Sequence, residues 1–84
     1  MHKRTVIIYE DEEDLQRLEE VGQLKHKFNV QKHIEDPKDY KELEKEIAGF
    51  EAIVVSGVNA TLRNGLAKYC IETGVLGYFA PTCG

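Results

Sequence analysis

Two short polar segments of this 84-residue chain could do chemistry, and each directly follows an apolar run. The first is a run of five acids at residues 10–14, immediately after Tyr9. Glu10 and Asp11 at its start carry carboxylates, which are ligands that Mg²⁺ prefers. The second is the turn Ser56-Gly57-Val58-Asn59, where small residues precede a helix start and could hold an anion. The sequence therefore offers one candidate cation site and one candidate anion site.

Alternating strand and helix patterns position these two segments. Short apolar runs predict four strands, and apolar residues spaced three and four apart between them predict three amphipathic helices. We expect Asp36 to cap the second helix with Pro37 in its first position, Asn59 to cap the third helix and Gly74 to end it. The predicted strands cover residues 5–9, 28–34, 52–55 and 75–80, and the predicted helices cover roughly residues 12–26, 36–48 and 59–73.

The order of these elements predicts the fold. Strands joined through helices must run parallel with right-handed crossovers. Residues 5–9 and 52–56 form the most apolar strands and should be central, whereas the polar content of residues 28–34 suits an edge. We therefore predict a three-layer α/β, Rossmann-like parallel sheet of four strands in order 2-1-3-4, with three helices. Residues 1–84 form one domain, and the chain stops where a fourth helix is due, which predicts a fragment of a larger protein.

In such sheets ligands bind at the carboxyl ends of the strands, where the strand order switches. A nicotinamide or flavin dinucleotide needs glycines after the first strand, and this turn has five carboxylates instead, which would repel a phosphate. We accordingly predict no cofactor for this chain and no catalytic residue. The candidate cofactor-binding residues are Tyr9, Ser56, Gly57, Asn59 and Thr82, and the candidate metal ligands are Glu10 and Asp11.

Composition excludes several classes of protein. Eleven basic and fifteen acidic residues give a net charge of −4, which argues against nucleic acid as a partner. No apolar run reaches the roughly 18–20 residues that a membrane span needs. Cys70 and Cys83 form no CxxC pair, so we predict reduced thiols in a cytosolic compartment, with Cys70 in the core.

The segment Ile7-Ile8-Tyr9-Glu10-Asp11-Glu12-Glu13-Asp14-Leu15 resembles the opening of a response-regulator receiver domain. In that family, acids after the first strand bind magnesium beside a phosphorylated aspartate. That aspartate would end the third strand, where this chain has Ser56. A free-standing receiver-like signalling or binding module without its phosphoacceptor is therefore one alternative for the function.

The second half of the chain, at residues 51–56, 62–70 and 74–81, resembles another family. It is similar to the cytosolic Rossmann-like, CoA-binding-like domain of bacterial polyprenyl-phosphate sugar-1-phosphate transferases, of the undecaprenyl-phosphate galactose phosphotransferase type. The resemblance implies a parent that starts exopolysaccharide or capsule synthesis at the inner face of the membrane. Its catalytic acids and Mg²⁺ site would belong to a C-terminal domain absent from this chain.

That resemblance also implies what this chain would do. It would be a non-catalytic regulatory or structural domain on the cytoplasmic side of the membrane. Its partners would be the parent's membrane and catalytic domains, and we also expect self-association with a second copy.

Overall fold

The computed structural model describes residues 3–20 and 28–80. All strand pairs are parallel, and the sheet order is β2-β1-β3-β4, which confirms the predicted α/β Rossmann-like sheet of order 2-1-3-4 with three helices. The continuation of the first predicted helix to residue 26 lies outside the described residues. The elements are β1 (Lys3–Tyr9), α1 (Glu12–Glu20), β2 (Phe28–Glu35), α2 (Tyr40–Ile47), β3 (Ala52–Ser56), α3 (Ala60–Thr73) and β4 (Leu76–Phe79).

The two central strands are apolar because helices cover both of their faces. Residues 5–9 of β1 and all of β3 are buried. Since side chains of a strand alternate between its faces, consecutive residues enter different cores. Val6, Ile8, Ile53 and Val55 join the larger core with α2 and α3, while Ile7 and Val54 join the smaller one with α1.

The start of α2 differs from the sequence-based expectation. Asp39 caps this helix, because its side chain accepts a hydrogen bond from the Lys41 backbone N–H at 2.9 Å. The prediction that Asp36 is the cap is wrong. A residue before proline disfavours the helical region, and Asp36 instead takes a φ of 53° and donates its backbone N–H to the Tyr9 carbonyl at 2.7 Å. Asp36 thereby extends the pairing of β1 with β2.

Both predicted ends of α3 are confirmed. The side-chain oxygen of Asn59 accepts the Leu62 N–H at 2.9 Å, which satisfies one of the free amides at the helix start. At the other end Gly74 has a φ of 77° and donates its N–H to the Cys70 carbonyl, as glycine does after many helices. The helix that follows the carboxyl end of β3 is therefore capped at both of its ends.

The strand β4 lies at one edge of the sheet, where Leu76 and Tyr78 are almost half exposed. Self-association through a second copy stays a prediction.

Within residues 3–20 and 28–80, no helix combines the length and the apolar character that crossing a membrane would require.

Replacing Leu66 by alanine should destabilise the fold far more than replacing Ile71. Leu66 of α3 is completely buried, whereas Ile71 of the same helix is 83% exposed. Leu66→Ala leaves a cavity and should lower the free energy of unfolding by about 2–5 kcal/mol, while Ile71→Ala should change it by less than about 0.5 kcal/mol. Urea unfolding followed by circular dichroism measures both, and equal losses would contradict this packing of α3.

Candidate functional site

Three connecting segments meet at the carboxyl edge of the sheet. Tyr9, the last residue of β1, pairs in register with Ser56, the last residue of β3, so the turns after these strands are neighbours. On the other side of β1, Tyr9 is paired with Glu35, and Asp36 follows directly. The segments that lead into α1, α2 and α3 therefore surround one point, where the strand order reverses.

The turn between β1 and α1 is closed by two carboxylates of the chain itself. The Asp14 N–H donates to Oδ1 of Asp11 at 3.2 Å, and the Asp11 N–H donates to Oδ2 of Asp14 at 3.3 Å. This is a capping box made with two aspartates, which satisfies amides at the start of α1. Asp14 is only 8% exposed, and its Oδ1 lies 3.6 Å from Nη1 of Arg17.

Gly57, directly after β3, brings the two turns into contact. Its φ of 74° lies in the left-handed region, and a Cβ on this residue would overlap the Asp14 carboxylate. Only glycine meets both conditions at this position. The Asp14 side chain therefore extends from the first turn of α1 to the end of β3, across the point where the strand order switches.

A cleft of about 120 Å³ opens on the other side of this point, next to the starts of α2 and α3. Nζ of Lys38 and Oδ2 of Asp36 are 2.9 Å apart at its wall. Pockets that hold a whole drug-sized ligand are usually about 300–1,000 Å³, so this cleft can take only part of such a ligand. The lining residues are Glu10, Asp36, Pro37, Lys38, Val58, Asn59 and Leu62.

The candidate cofactor-binding and metal-ligating residues predicted from the sequence lie in different parts of the structure. Glu10 and Asn59 line the cleft, although Oδ1 of Asn59 is already bound to the Leu62 N–H. Asp11 is engaged in the capping box with Asp14, and Ser56 is buried at the end of β3. Thr82 lies outside the described residues. In the described part of the chain, no three His, Cys, Asp or Glu side chains are grouped so that they could hold a metal ion.

Tyr9 lies in the smaller core rather than in the cleft. It is buried against the α1 side of the sheet, and its ring meets the His33 ring edge to face at 6.0 Å. Burial, and then the nearby charges of Glu35 and Glu12, raise the pKa of the Tyr9 hydroxyl. Tyr9 therefore stays protonated at neutral pH.

Sequence reasoning missed three contributors, Asp14, Asp36 and Lys38. Asp36 was considered only as a helix cap, and the segment after β2 was not included in the site. A usable signal existed, because the carboxyl end of an edge strand reaches the same side of a parallel sheet as its neighbours. Asp14 offered no such signal, because its contact with Gly57 joins residues 43 positions apart.

Comparison with known proteins gives one family match on this chain. A family model described as the saccharopine dehydrogenase NADP binding domain matches residues 1–78. No curated protein and no solved structure matches the chain.

This match contradicts both resemblances drawn from the sequence. The assignment to a sugar-1-phosphate transferase in exopolysaccharide synthesis on undecaprenyl phosphate is wrong, and so is the receiver-like alternative. The transferase resemblance was strongest at residues 63–81, which form α3 and β4 as far as they are described, a helix–strand unit that parallel α/β sheets share. The regulatory role and the membrane-side location that it implied lose their basis.

The prediction that the chain takes no cofactor is also wrong, because the matching family model describes an NADP-binding domain. The prediction considered only the acids and the missing glycine of the turn after β1. It did not consider the cleft, which Lys38 and other residues after β2 and β3 help to form.

Replacing Gly57 by alanine should cost more stability than replacing Gly74. The two glycines have nearly the same φ, 74° and 77°, but a Cβ on Gly74 would meet no atom within 4 Å. Both changes carry the backbone penalty of about 1–2 kcal/mol, and Gly57→Ala adds the overlap with Asp14, about 1–3 kcal/mol more. Thermal unfolding measures the difference, and equal melting temperatures would contradict the contact between Gly57 and Asp14.

The Cys70 thiol should be a poor nucleophile. It is half-buried against the larger core, and burial raises the pKa of the Cys70 thiol. Since the thiolate is the reactive form, Cys70 in a Cys83→Ser variant should react with a disulfide reagent more slowly than free cysteine at pH 8. The raised pKa also makes the stability of the fold depend on pH. The buried neutral thiol of Cys70 contributes its full stabilisation below the pKa that it has in the unfolded chain, and this stabilisation is lost as the pH rises through its pKa in the folded protein. Labelling at the free-cysteine rate would contradict this.

Proposed function

The chain belongs to the saccharopine dehydrogenase NADP-binding domain family, and on this premise we propose that it binds NADP(H) at the carboxyl edge of its sheet as the nucleotide-binding part of a dehydrogenase. The observation that carries this proposal is the cleft at the point where the strand order reverses, which is where open parallel α/β sheets bind ligands. In dehydrogenases the bound nicotinamide supplies hydride chemistry, while the protein binds and orients it.

Asp36 and Lys38 are the residues that suit the ribose end of this nucleotide. In dinucleotide-binding sheets an acid hydrogen-bonds the ribose 2′-OH of NAD, or a nearby basic side chain accommodates the 2′-phosphate that this hydroxyl carries in NADP. Lys38 is therefore the residue that would meet the 2′-phosphate, and its ammonium offsets the charge of the Asp36 carboxylate. Asp36 is fixed by its backbone hydrogen bond to Tyr9, and its carboxylate already holds the Lys38 ammonium at 2.9 Å. Lys38 is largely exposed, so its ammonium can reach a phosphate that enters from solvent.

The turn between β1 and α1 does not fit the pyrophosphate in the arrangement that the structure shows. A pyrophosphate in this fold sits at the start of the first helix, on free backbone amides. Here the N–H groups of Asp11 and Asp14 are bonded to each other's carboxylates, and Glu12 and Glu13 add further negative charge. Support for nucleotide binding therefore comes from the family and the cleft, and we derive no hydride-transfer step.

Replacing Lys38 by alanine should weaken NADPH selectively. Loss of a charged hydrogen bond to the 2′-phosphate should raise the Kd for NADPH by about tenfold, whereas the Kd for NADH, which lacks that phosphate, should not rise. Lys45→Ala is the matched control, because Lys45 is an exposed lysine of α2, the helix that follows Lys38, and does not line the cleft. Isothermal titration calorimetry measures the Kd for NADPH and for NADH in wild type and in both variants.

Two outcomes would contradict the proposed function. Wild-type protein that binds neither NADPH nor NADH at millimolar concentration would exclude nucleotide binding by the chain as it stands. Equal losses of NADPH affinity in Lys38→Ala and Lys45→Ala would show that general charge, and not the cleft, attracts the nucleotide.

A further inference from the structure

The Asp14 carboxylate lies where a dinucleotide in this fold places negative charge of its own. It belongs to the first turn of α1, directly after the first strand, and it faces Gly57 at the end of β3. Those two turns flank the point where the strand order reverses, which is the place of the pyrophosphate in dinucleotide-binding sheets. The position is therefore filled by the chain's own side chain.

One contact of the Asp14 carboxylate is of the kind that a phosphate would make, because its oxygen accepts a backbone N–H at the start of α1. Its Oδ2 accepts the Asp11 N–H, and its own N–H is taken by Oδ1 of Asp11. Nη1 of Arg17, in the same helix, lies 3.6 Å from Oδ1 of Asp14. Gly57 gives the close backbone approach that a phosphate needs, but the Asp14 carboxylate occupies that space.

We propose that Asp14 is an internal competitor for the pyrophosphate of the dinucleotide, so that the carboxylate must leave the space beside Gly57 before the dinucleotide can bind completely. This inference rests on the proposed function and adds a residue that limits affinity at the same site. Two negative groups cannot share one set of amides in a buried place without strong repulsion. The open cleft at Lys38 then raises the affinity for the dinucleotide, whereas the closed turn at Asp14 lowers it.

Asp14→Ala removes both the charge and the volume beside Gly57, and we expect it to lower the Kd for NADPH at least tenfold. Asp14→Asn removes the charge and keeps the shape, so its gain should be smaller but in the same direction. It also serves as the second variant if loss of the capping box leaves the alanine variant unfolded. Glu13→Ala is the matched control, because it removes one exposed carboxylate from the same helical turn, and we expect less than a threefold change.

Inorganic pyrophosphate tests whether the space beside Gly57 binds a pyrophosphate when the rest of the nucleotide is absent. In a two-dimensional NMR titration of the full chain, Asp14→Ala should show saturable shifts of the Asp11 and Gly57 amides. Wild type and Glu13→Ala should show none at the same concentrations.

The outcomes separate this inference from the proposed function. Tighter NADPH binding and new pyrophosphate shifts in Asp14→Ala, and smaller ones in Asp14→Asn, but not in Glu13→Ala, support the inference. The same NADPH affinity in wild type, Asp14→Ala and Glu13→Ala overturns it and leaves nucleotide binding intact. Absence of pyrophosphate binding by folded Asp14→Ala or Asp14→Asn also overturns it, whatever their NADPH affinity. Failure of every variant to bind NADPH overturns both.

Discussion

The parallel pairing of β1 with β3 is the constraint on which the rest of this small structure depends. Both strands are buried on both faces, so helices must lie on each side of the sheet. Their register brings Tyr9 opposite Ser56, and the turns that follow become neighbours although they are more than forty residues apart in sequence. The larger core, the smaller core and the candidate site are all arranged around this pair.

At the carboxyl edge, local stability and ligand binding make opposite demands. The Asp11–Asp14 capping box stabilises the start of α1 and fits the acids to the positive end of that helix. The same contacts use the amides and the space that a pyrophosphate needs. At the same edge of the sheet, the cleft lined by Asp36 and Lys38 remains open. The candidate site is therefore open beside Lys38 and closed beside Asp14.

The errors of the sequence interpretation have a common physical origin. Residues 51–56, 62–70 and 74–81 suggested a sugar-phosphate transferase because they carry a strong strand–helix–strand pattern, and that pattern reports the fold rather than the chemistry. The acids at residues 10–14 and the absence of glycine from that turn suggested that no nucleotide binds, because the turn after β1 was judged alone. A binding edge is assembled from several turns, so the composition of one of them does not decide its ligand.

The sequence by itself determined the fold class, the strand order, the edge position of β2 and both ends of α3, because apolar periodicity and helix-capping chemistry are local properties. It did not determine the start of α2, where pairing of Asp36 with Tyr9 overrides a favourable capping sequence. Tertiary structure alone decided that Asp14 packs on Gly57 and that Lys38 joins the cleft. Those contacts join residues far apart in the chain, and only the register of the parallel strands brings them together.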